Sequence, residues 1–594
     1  MARSSCVRVR CICAMFLLCA AAGAQTSPNS SPAEQAAREQ KGLAALHEAI
    51  AQSQNLTLPV NRIFIESTAA ELLWTRDEPL ARSLVSSLRS RFRELAAQPA
   101  NDRGRDMLNQ QAYQFRRNLV ITIARQDPQL ALDFLHATPP PAMTNYGGNY
   151  EADLELNVAA AAAQNNARLA ASLVRQNMNS GNSMMLASTV EQISRQDSAA
   201  GAQLAAEMMN RLSGANFSID QRALMAATQL IQYYGSRARE SAQPKVVRGR
   251  AAPSPLPISD AQVQALAQAV YTAAQKPDFP ANWLPSVQNV MPQLQNLVPS
   301  AAPLRGIAGQ PSPTFWNDLN MALQKGNMDQ AVGMAAAAPP DYRYSAFQSV
   351  AMNVASSTGN LDAAREILNR SDIPEGQREQ MMEQLAHQAA VGDAARGATA
   401  QARAAADLIR YTTDRAQAYI QIAQAALGRK DKATAAAFLN DAAAMLPSPP
   451  ADAAEVNALG SLASAYLQID PARSAEILSG LIDVANEKFP ALAVVDGFLF
   501  NGMRTFYNGE MVMQYGGGAP LLGAVSSALY SLAATDSDRA MALAARLQRP
   551  EAKVTAYLGI ARALLGSGVG PGYGSGVGGV AGYGSGSGFI TISH

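Results

Sequence analysis

Six segments of this 594-residue chain share one pattern: an Asp or Asn at a turn, then an alanine-rich run, then an apolar pair. They run from Asp127 to Leu135, Asn166 to Val174, Asn360 to Leu368, Asp431 to Leu439, Asp470 to Leu478 and Asp536 to Ala544. The Asp or Asn side chain offers an acceptor to the free N–H groups of a first helical turn, and alanine has the highest helix propensity. A second kind of segment carries a small residue followed by an aromatic ring, at Ser345 to Ala351, Gln417 to Ala423 and Thr555 to Ala561. The two kinds alternate around turns, which makes the repeating object a helix–turn–helix unit spaced by roughly 33 to 41 residues. Capping boxes at Ser31/Glu34, Ser218/Gln221, Ser259/Gln262, Asp372/Glu375 and Asp452/Glu455 mark further helix starts. Period-two alternation is nearly absent. The pattern predicts an all-α fold, an irregular αα-superhelix or helical-repeat solenoid, with strand content near zero.

Two of the turns, Gly326-Asn-Met-Asp-Gln-Ala331 and Gly359-Asn-Leu-Asp-Ala-Ala364, lie thirty-three residues apart and resemble the turn and second-helix start of a tetratricopeptide repeat. The resemblance covers those two turns; Trp316 and Leu319 stand near first-helix positions, but the full Trp, Leu, Gly and Tyr pattern is missing. Elsewhere the spacing drifts toward forty residues, so the chain is similar to the tetratricopeptide/HEAT-like class of helical repeats in general. That resemblance implies partner binding by analogy.

At the N-terminus, Arg3, Arg8 and Arg10 precede a short apolar run, Cys11 to Ala22, and the small residues Ala22-Gly23-Ala24. This is the layout of a cleaved signal peptide spanning residues 1–24, with Gln25 as the expected mature N-terminus. All four cysteines, Cys6, Cys11, Cys13 and Cys19, fall inside it, so the mature chain is expected to lack disulfides and thiol chemistry. The expected location is therefore periplasmic or extracellular, with no transmembrane segment in the mature chain. Cleavage takes the formal charge from +1 to about −2, and a near-neutral chain has no field to gather nucleic acid. Proline density divides the rest. Residues 30–242 read as an N-terminal helical lobe, 243–313 as a Pro-rich bridge with one helix, 314–566 as a C-terminal helical-repeat lobe, and 567–594 as a Gly-rich disordered tail.

Chemistry is sparse. The chain has no His-Glu-x-x-His, Walker loop, nucleophile elbow or EF-hand loop, and its four histidines are scattered. No catalytic residue, metal ligand or cofactor site is assigned. His47 and His387 read as ordinary helix residues and His136 as a helix C-terminal cation. Glu151, Asp153 and Glu155 either load a helix N-terminus or supply a carboxylate pair of the glycosidase kind. The most unusual segment is Phe498 to Pro520, where Phe498, Phe500, Phe506, Tyr507 and Tyr515 cluster in a chain that is only 6% aromatic. These five form the candidate partner surface, with a plug of the superhelix as the alternative. The sequence thus points to an exported, non-enzymatic scaffold for protein–protein binding or envelope assembly. A carboxylate-based glycan-acting enzyme on a helical superhelix is the second reading.

Overall fold

The computed structural model describes residues 31–97, 103–138, 150–178, 183–241, 258–280, 282–302, 304, 315–371, 375–496, 506–507, 509–513 and 519–566. Among them the protein is all-α: twenty-six helices and a single two-stranded ribbon. A first helix, α1 (Pro32–Ser53), is followed by helical hairpins. Those of the N-terminal half pair α2 (Pro59–Leu73) with α3 (Glu78–Ala96), α4 (Arg103–Gln126) with α5 (Pro128–Ala137), and α6 (Tyr150–Ala162) with α7 (Ala167–Asn177). Next come α8 (Ser183–Gln196) with α9 (Ser198–Ser213), and α10 (Gln221–Ser241) with α11 (Asp260–Gln275). Two short helices, α12 (Leu284–Gln288) and α13 (Met291–Leu297), complete this half.

The C-terminal half pairs α14 (Phe315–Gln324) with α15 (Met328–Ala337), α16 (Pro340–Thr358) with α17 (Leu361–Asn369), and α18 (Glu375–Arg396) with α19 (Thr399–Asp407). It continues with α20 (Thr412–Gly428) and α21 (Lys432–Met445), then α22 (Ala453–Tyr466) and α23 (Pro471–Asp496). After the strands β1 (Phe506–Tyr507) and β2 (Glu510–Met511) come α24 (Ala519–Ala533), α25 (Ser537–Ala545) and α26 (Pro550–Leu565).

All six Asp/Asn turns are N-caps of second helices. Asp127, Asn166, Asn360, Asp431, Asp470 and Asp536 each accept a backbone N–H from the helix they open. In four of them the same residue also closes the preceding helix. Its own N–H donates to the carbonyl four residues back, as Asp127 does to Ile123, Asn166 to Ala162, Asp470 to Tyr466 and Asp536 to Leu532. One side chain and one N–H thus make the whole reversal. Asp77 and Asp197 do the same for α3 and α9.

The capping boxes at Ser31 and Ser259 are complete, with both reciprocal bonds made. Asp452 caps Glu455, but the Glu455 carboxylate reaches Ala451 instead of the Asp452 N–H. Ser218 is not the cap of α10. Asp220 is, accepting from Ala223, because the helix starts two residues later than the Ser/Gln spacing suggests. Asp372 lies outside the described residues.

The turns that resemble tetratricopeptide repeats are a family of four. Gly326, Gly359 and Gly397 have φ of 73°, 71° and 82°, and Lys430 occupies the equivalent place at φ 64°. After three of them the next N–H reaches five residues back, Asn327 to Ala322, Ala398 to Asp393 and Asp431 to Ala426. A side chain in the left-handed region costs about 1–2 kcal/mol. Lys430→Gly is therefore expected to stabilise the protein by about 1 kcal/mol, read as a higher urea midpoint with unchanged slope.

The first helices of the hairpins pack side by side in one row, α2 to α4 to α6 to α8 to α10, and again α14 to α16 to α18 to α20 to α22 to α24 to α26. The aromatic of the small-then-aromatic segments anchors this row: Phe347, Tyr419 and Tyr557 are buried on α16, α20 and α26. The second helices form a looser outer row. Alanine lets row neighbours approach closely, and the buried side chains make one continuous core.

The proline-dense segment holds three helices where the sequence suggests one. Pro285 and Pro292 stand in the first turns of α12 and α13, where a missing N–H costs nothing and φ is already helical. Buried Leu284, Val287 and Leu294 pack this segment onto α10 and α11. Tyr271 on α11 fixes its end by accepting from the Ala302 N–H at 2.8 Å. Residues 242–257, with Lys245, Arg248 and Arg250, lie outside the described residues.

Candidate functional site at the closing junction

The row does not stop at α26. That helix pairs with α1, its most extensive partner, and touches α2. α26 therefore acts as the first helix of a hairpin whose second helix comes from the other end of the chain. Together with the covalent link from α13 to α14, this composite hairpin closes the array into a circuit. Nearly every residue of α26 is buried, because α24, α25, α1 and α2 surround it. A Cβ at Gly42 of α1 would stand 2.7 Å from the Leu565 side chain, which would have to shift to admit it.

Three cations lock one end of the seam. Arg38 donates to the Ala563 carbonyl at 2.8 Å and Arg76 to the Leu565 carbonyl at 2.6 Å, satisfying acceptors at the C-terminus of α26. Arg76 also pairs with Glu39 of α1 at 2.8 Å, and Lys41 with Asp538 of α25 at 2.8 Å.

The other end is locked by the β1–β2 ribbon, in the register Phe506 opposite Met511 and Tyr507 opposite Glu510. α2 begins at Leu58, which has no capping side chain of its own. Glu510 supplies the cap from 452 residues away. Its buried carboxylate accepts from the Thr57 N–H, from Thr57 Oγ1 at 2.6 Å, from the Leu58 N–H at 3.1 Å and from Asn61 Nδ2 at 2.7 Å. Asn61 answers by donating to the Met511 carbonyl at 2.8 Å and accepting from the Met513 N–H at 3.0 Å. On the α26 side, buried Glu551 accepts from Arg549 Nε at 2.6 Å and from the Met511 N–H at 3.2 Å. The Arg549 guanidinium also donates to the Gly509 carbonyl and lies 5.3 Å from the Phe506 ring centroid. The ribbon thus binds the start of α2 to the start of α26.

Of the candidate partner surface, Phe506 is buried and Tyr507 half-buried, both within this clasp; Phe498, Phe500 and Tyr515 lie outside the described residues. Phe506 therefore follows the plug alternative, since Arg549 and the core cover its ring. Glu151 and Asp153 stand in the first turn of α6, as helix-loading groups do, while Glu155 lies further into the helix. Glu151 makes a two-oxygen pair with the buried Arg116, and Glu155 lies 2.9 Å from His136 Nε2 and accepts from Asn177 at 2.6 Å. Burial pushes the His387 imidazole below its ordinary value, with Asp414 opposing. Among the described residues no group of three His, Asp or Glu is placed to hold a metal.

The sequence contains no local mark of the seam. Two signals bear on it: α26 is mostly apolar, with Glu551, Lys553 and Arg562 its charged residues, so most of its surface needs covering, and α1 carries Gly42, Ala45 and Ala49 on one face.

These features define an all-α helical-repeat protein. No family model matches the chain, and no curated protein matches it. Among solved structures, the chain is similar to a protein described as a circular tandem repeat protein with novel repeat topology and enhanced subunit contact surfaces. The identity is 12% over 86% of this chain and 96% of that one, with a TM-score of 0.15, too low to carry any argument here. No helix among the described residues is long and apolar enough to cross a membrane.

Proposed function

We propose that this is an exported, non-enzymatic helical-repeat scaffold that binds a protein partner or supports assembly in the cell envelope. One observation carries the reading. At the α19–α20 turn two of the exposed large apolar groups, Leu408 and Tyr411, stand three residues apart at 58% and 67% exposure. Charged groups flank it. Arg410 pairs with Glu379 at 3.2 Å, and Arg403 lies over the Phe438 ring at 4.5 Å while pairing with Asp441 at 2.6 Å. Burial and the hydrogen bond to Asp407 push the Tyr419 phenol up to about 12, which keeps it a neutral donor. Exposed Tyr beside fixed Arg is the composition of interface hot spots.

The buried carboxylates support the same reading. Glu66, Glu155, Asp393, Glu510 and Glu551 each bind a cation, amide or backbone donor that joins or caps helices, Asp393 through Arg396, which reaches the Ser356 and Ser357 carbonyls of α16. Acids engaged in this way are poor candidates for general acid–base work.

The test is capture from envelope extract, with the partner identified by mass. Leu408→Ala with Tyr411→Ala is expected to lower capture at least tenfold, roughly one hot-spot residue's worth, while stability changes by no more than about 0.5 kcal/mol. Undiminished capture by the variant would remove this surface from the proposal, and glycan hydrolysis by the purified protein would replace the scaffold with an enzyme.

A further inference from the structure

The helix that completes the closing hairpin is held more by the far end of the chain than by its own neighbour. α1 packs much more extensively on α26 than on α2, and no backbone hydrogen bond among the described residues joins α1 to α2. Across the seam Arg38 reaches the Ala563 carbonyl, Lys41 reaches Asp538, and Gly42 lies against Leu564 and Leu565. Residues 54–58 link α1 to α2. The N–H groups of Gln54, Asn55 and Leu56 finish α1, while those of Thr57 and Leu58 go to Glu510. Arg62 ties the link to α2, donating to the Leu56 carbonyl at 2.7 Å. Leu58 is extended ahead of Pro59, as a residue before proline prefers to be. Five extended residues reach about 17 Å.

We propose that α1 is an exchangeable helix: α1 of one copy of this chain seats on α26 of a second copy, and the second copy's α1 seats on α26 of the first. The seam already defines both halves of that interface. When α1 leaves, it uncovers the apolar Leu564 and Leu565 and strands the Ala563 carbonyl. The cover that fits them best is another α1, which brings the same Gly42, Ala45, Leu46 and Ala49 face and the same Arg38 and Lys41. Glu510 keeps its bonds to Leu58 and Asn61 throughout, because these belong to the start of α2 and stay behind when α1 moves. Exchange of an identical element therefore restores in the pair what opening removes from the monomer. A short link holds α1 near its own α26 at an effective concentration of the order of millimolar, so dilute chains close on themselves and crowded ones pair.

The experiment mixes unlabelled and heavy-nitrogen copies of the full chain in urea, refolds them together and treats them with a carbodiimide. This reagent joins the exposed Lys41 amine to the Asp538 carboxylate it touches. Links between an unlabelled and a heavy peptide are expected in the dimer fraction, and a tenfold higher refolding concentration should raise their share about tenfold while it is small. A second arm needs no refolding. One tagged copy carries Gly42→Leu, whose added bulk meets Leu565, and a differently tagged copy carries Leu565→Ala, which makes room for it. Expressed together, the two should co-purify several-fold more than two wild-type copies. With both changes placed in the same chain the fit is restored within one copy, and co-purification should return to the wild-type level. No mixed-label link at any concentration, a share that does not rise with concentration, or variants that co-purify no better than wild type would each overturn the proposal.

Discussion

Glu510→Ala is expected to destabilise the protein by about 3–5 kcal/mol, the range seen when one partner of a buried charged network is removed. The loss is this large because the carboxylate is the cap of α2 and has no substitute. Without it the Leu58 N–H and the Asn61 amide lose an acceptor in a buried place, and the Thr57 N–H and hydroxyl lose theirs nearer the surface. Glu510→Gln keeps one acceptor oxygen and is expected to cost about half as much. Urea unfolding measures the size, and native-state hydrogen exchange shows the place: protection should fall first in α1, α2 and α26. A Glu510→Ala protein within about 1 kcal/mol of wild type would mean that the ribbon decorates the seam without holding it.

The second large effect is expected at Arg116, the largest side chain wholly removed from solvent. Its guanidinium donates to Thr138 Oγ1 at 3.0 Å, to the Leu135 carbonyl at 2.9 Å and to both Glu151 oxygens at 2.6 and 2.8 Å. It therefore joins α4, the end of α5 and the start of α6. Arg116→Met fills similar space but strands the α5 carbonyls, at an expected cost of about 3–5 kcal/mol. Glu151 is 42% exposed at its side chain and regains water, so adding Glu151→Gln to Arg116→Met should cost little more. Strict additivity of the two changes would show that the network is not one unit.

What the sequence makes legible is what local chemistry decides. The cap bonds of an Asp at a turn lie within four residues on either side, so the caps at Asp127 or Asp536 can be read without knowing the fold. Proline is legible only in part: Pro285 and Pro292 look like helix breakers until their first-turn positions are known. The aromatic density around Phe506 stands out in composition, but its role depends on Arg549 and on the start of α2, which no spacing rule connects to it. Glu510 is an ordinary acid in the sequence; its meaning comes from Asn61, 449 residues away. His136 reads as a helix-end cation, and its Glu155 partner emerges only once α6 lies beside α5.

The composite hairpin also sets an order of events. Arg38 and the Ala563 carbonyl it binds are 525 residues apart, so the first helix to be made is among the last to be covered. At roughly 5–20 residues per second of synthesis, α1 waits from about half a minute to nearly two minutes for its mate. A strongly apolar helix exposed that long would invite wrong partners. α1 suits the wait: its first ten residues stay largely exposed even in the finished protein, and its contact face is built from Gly42, Ala45, Leu46 and Ala49. The weak stickiness of this helix is thus a property of the nascent chain as much as of the folded one, and hydrophobic additions to α1 should show their harm first as aggregation during production.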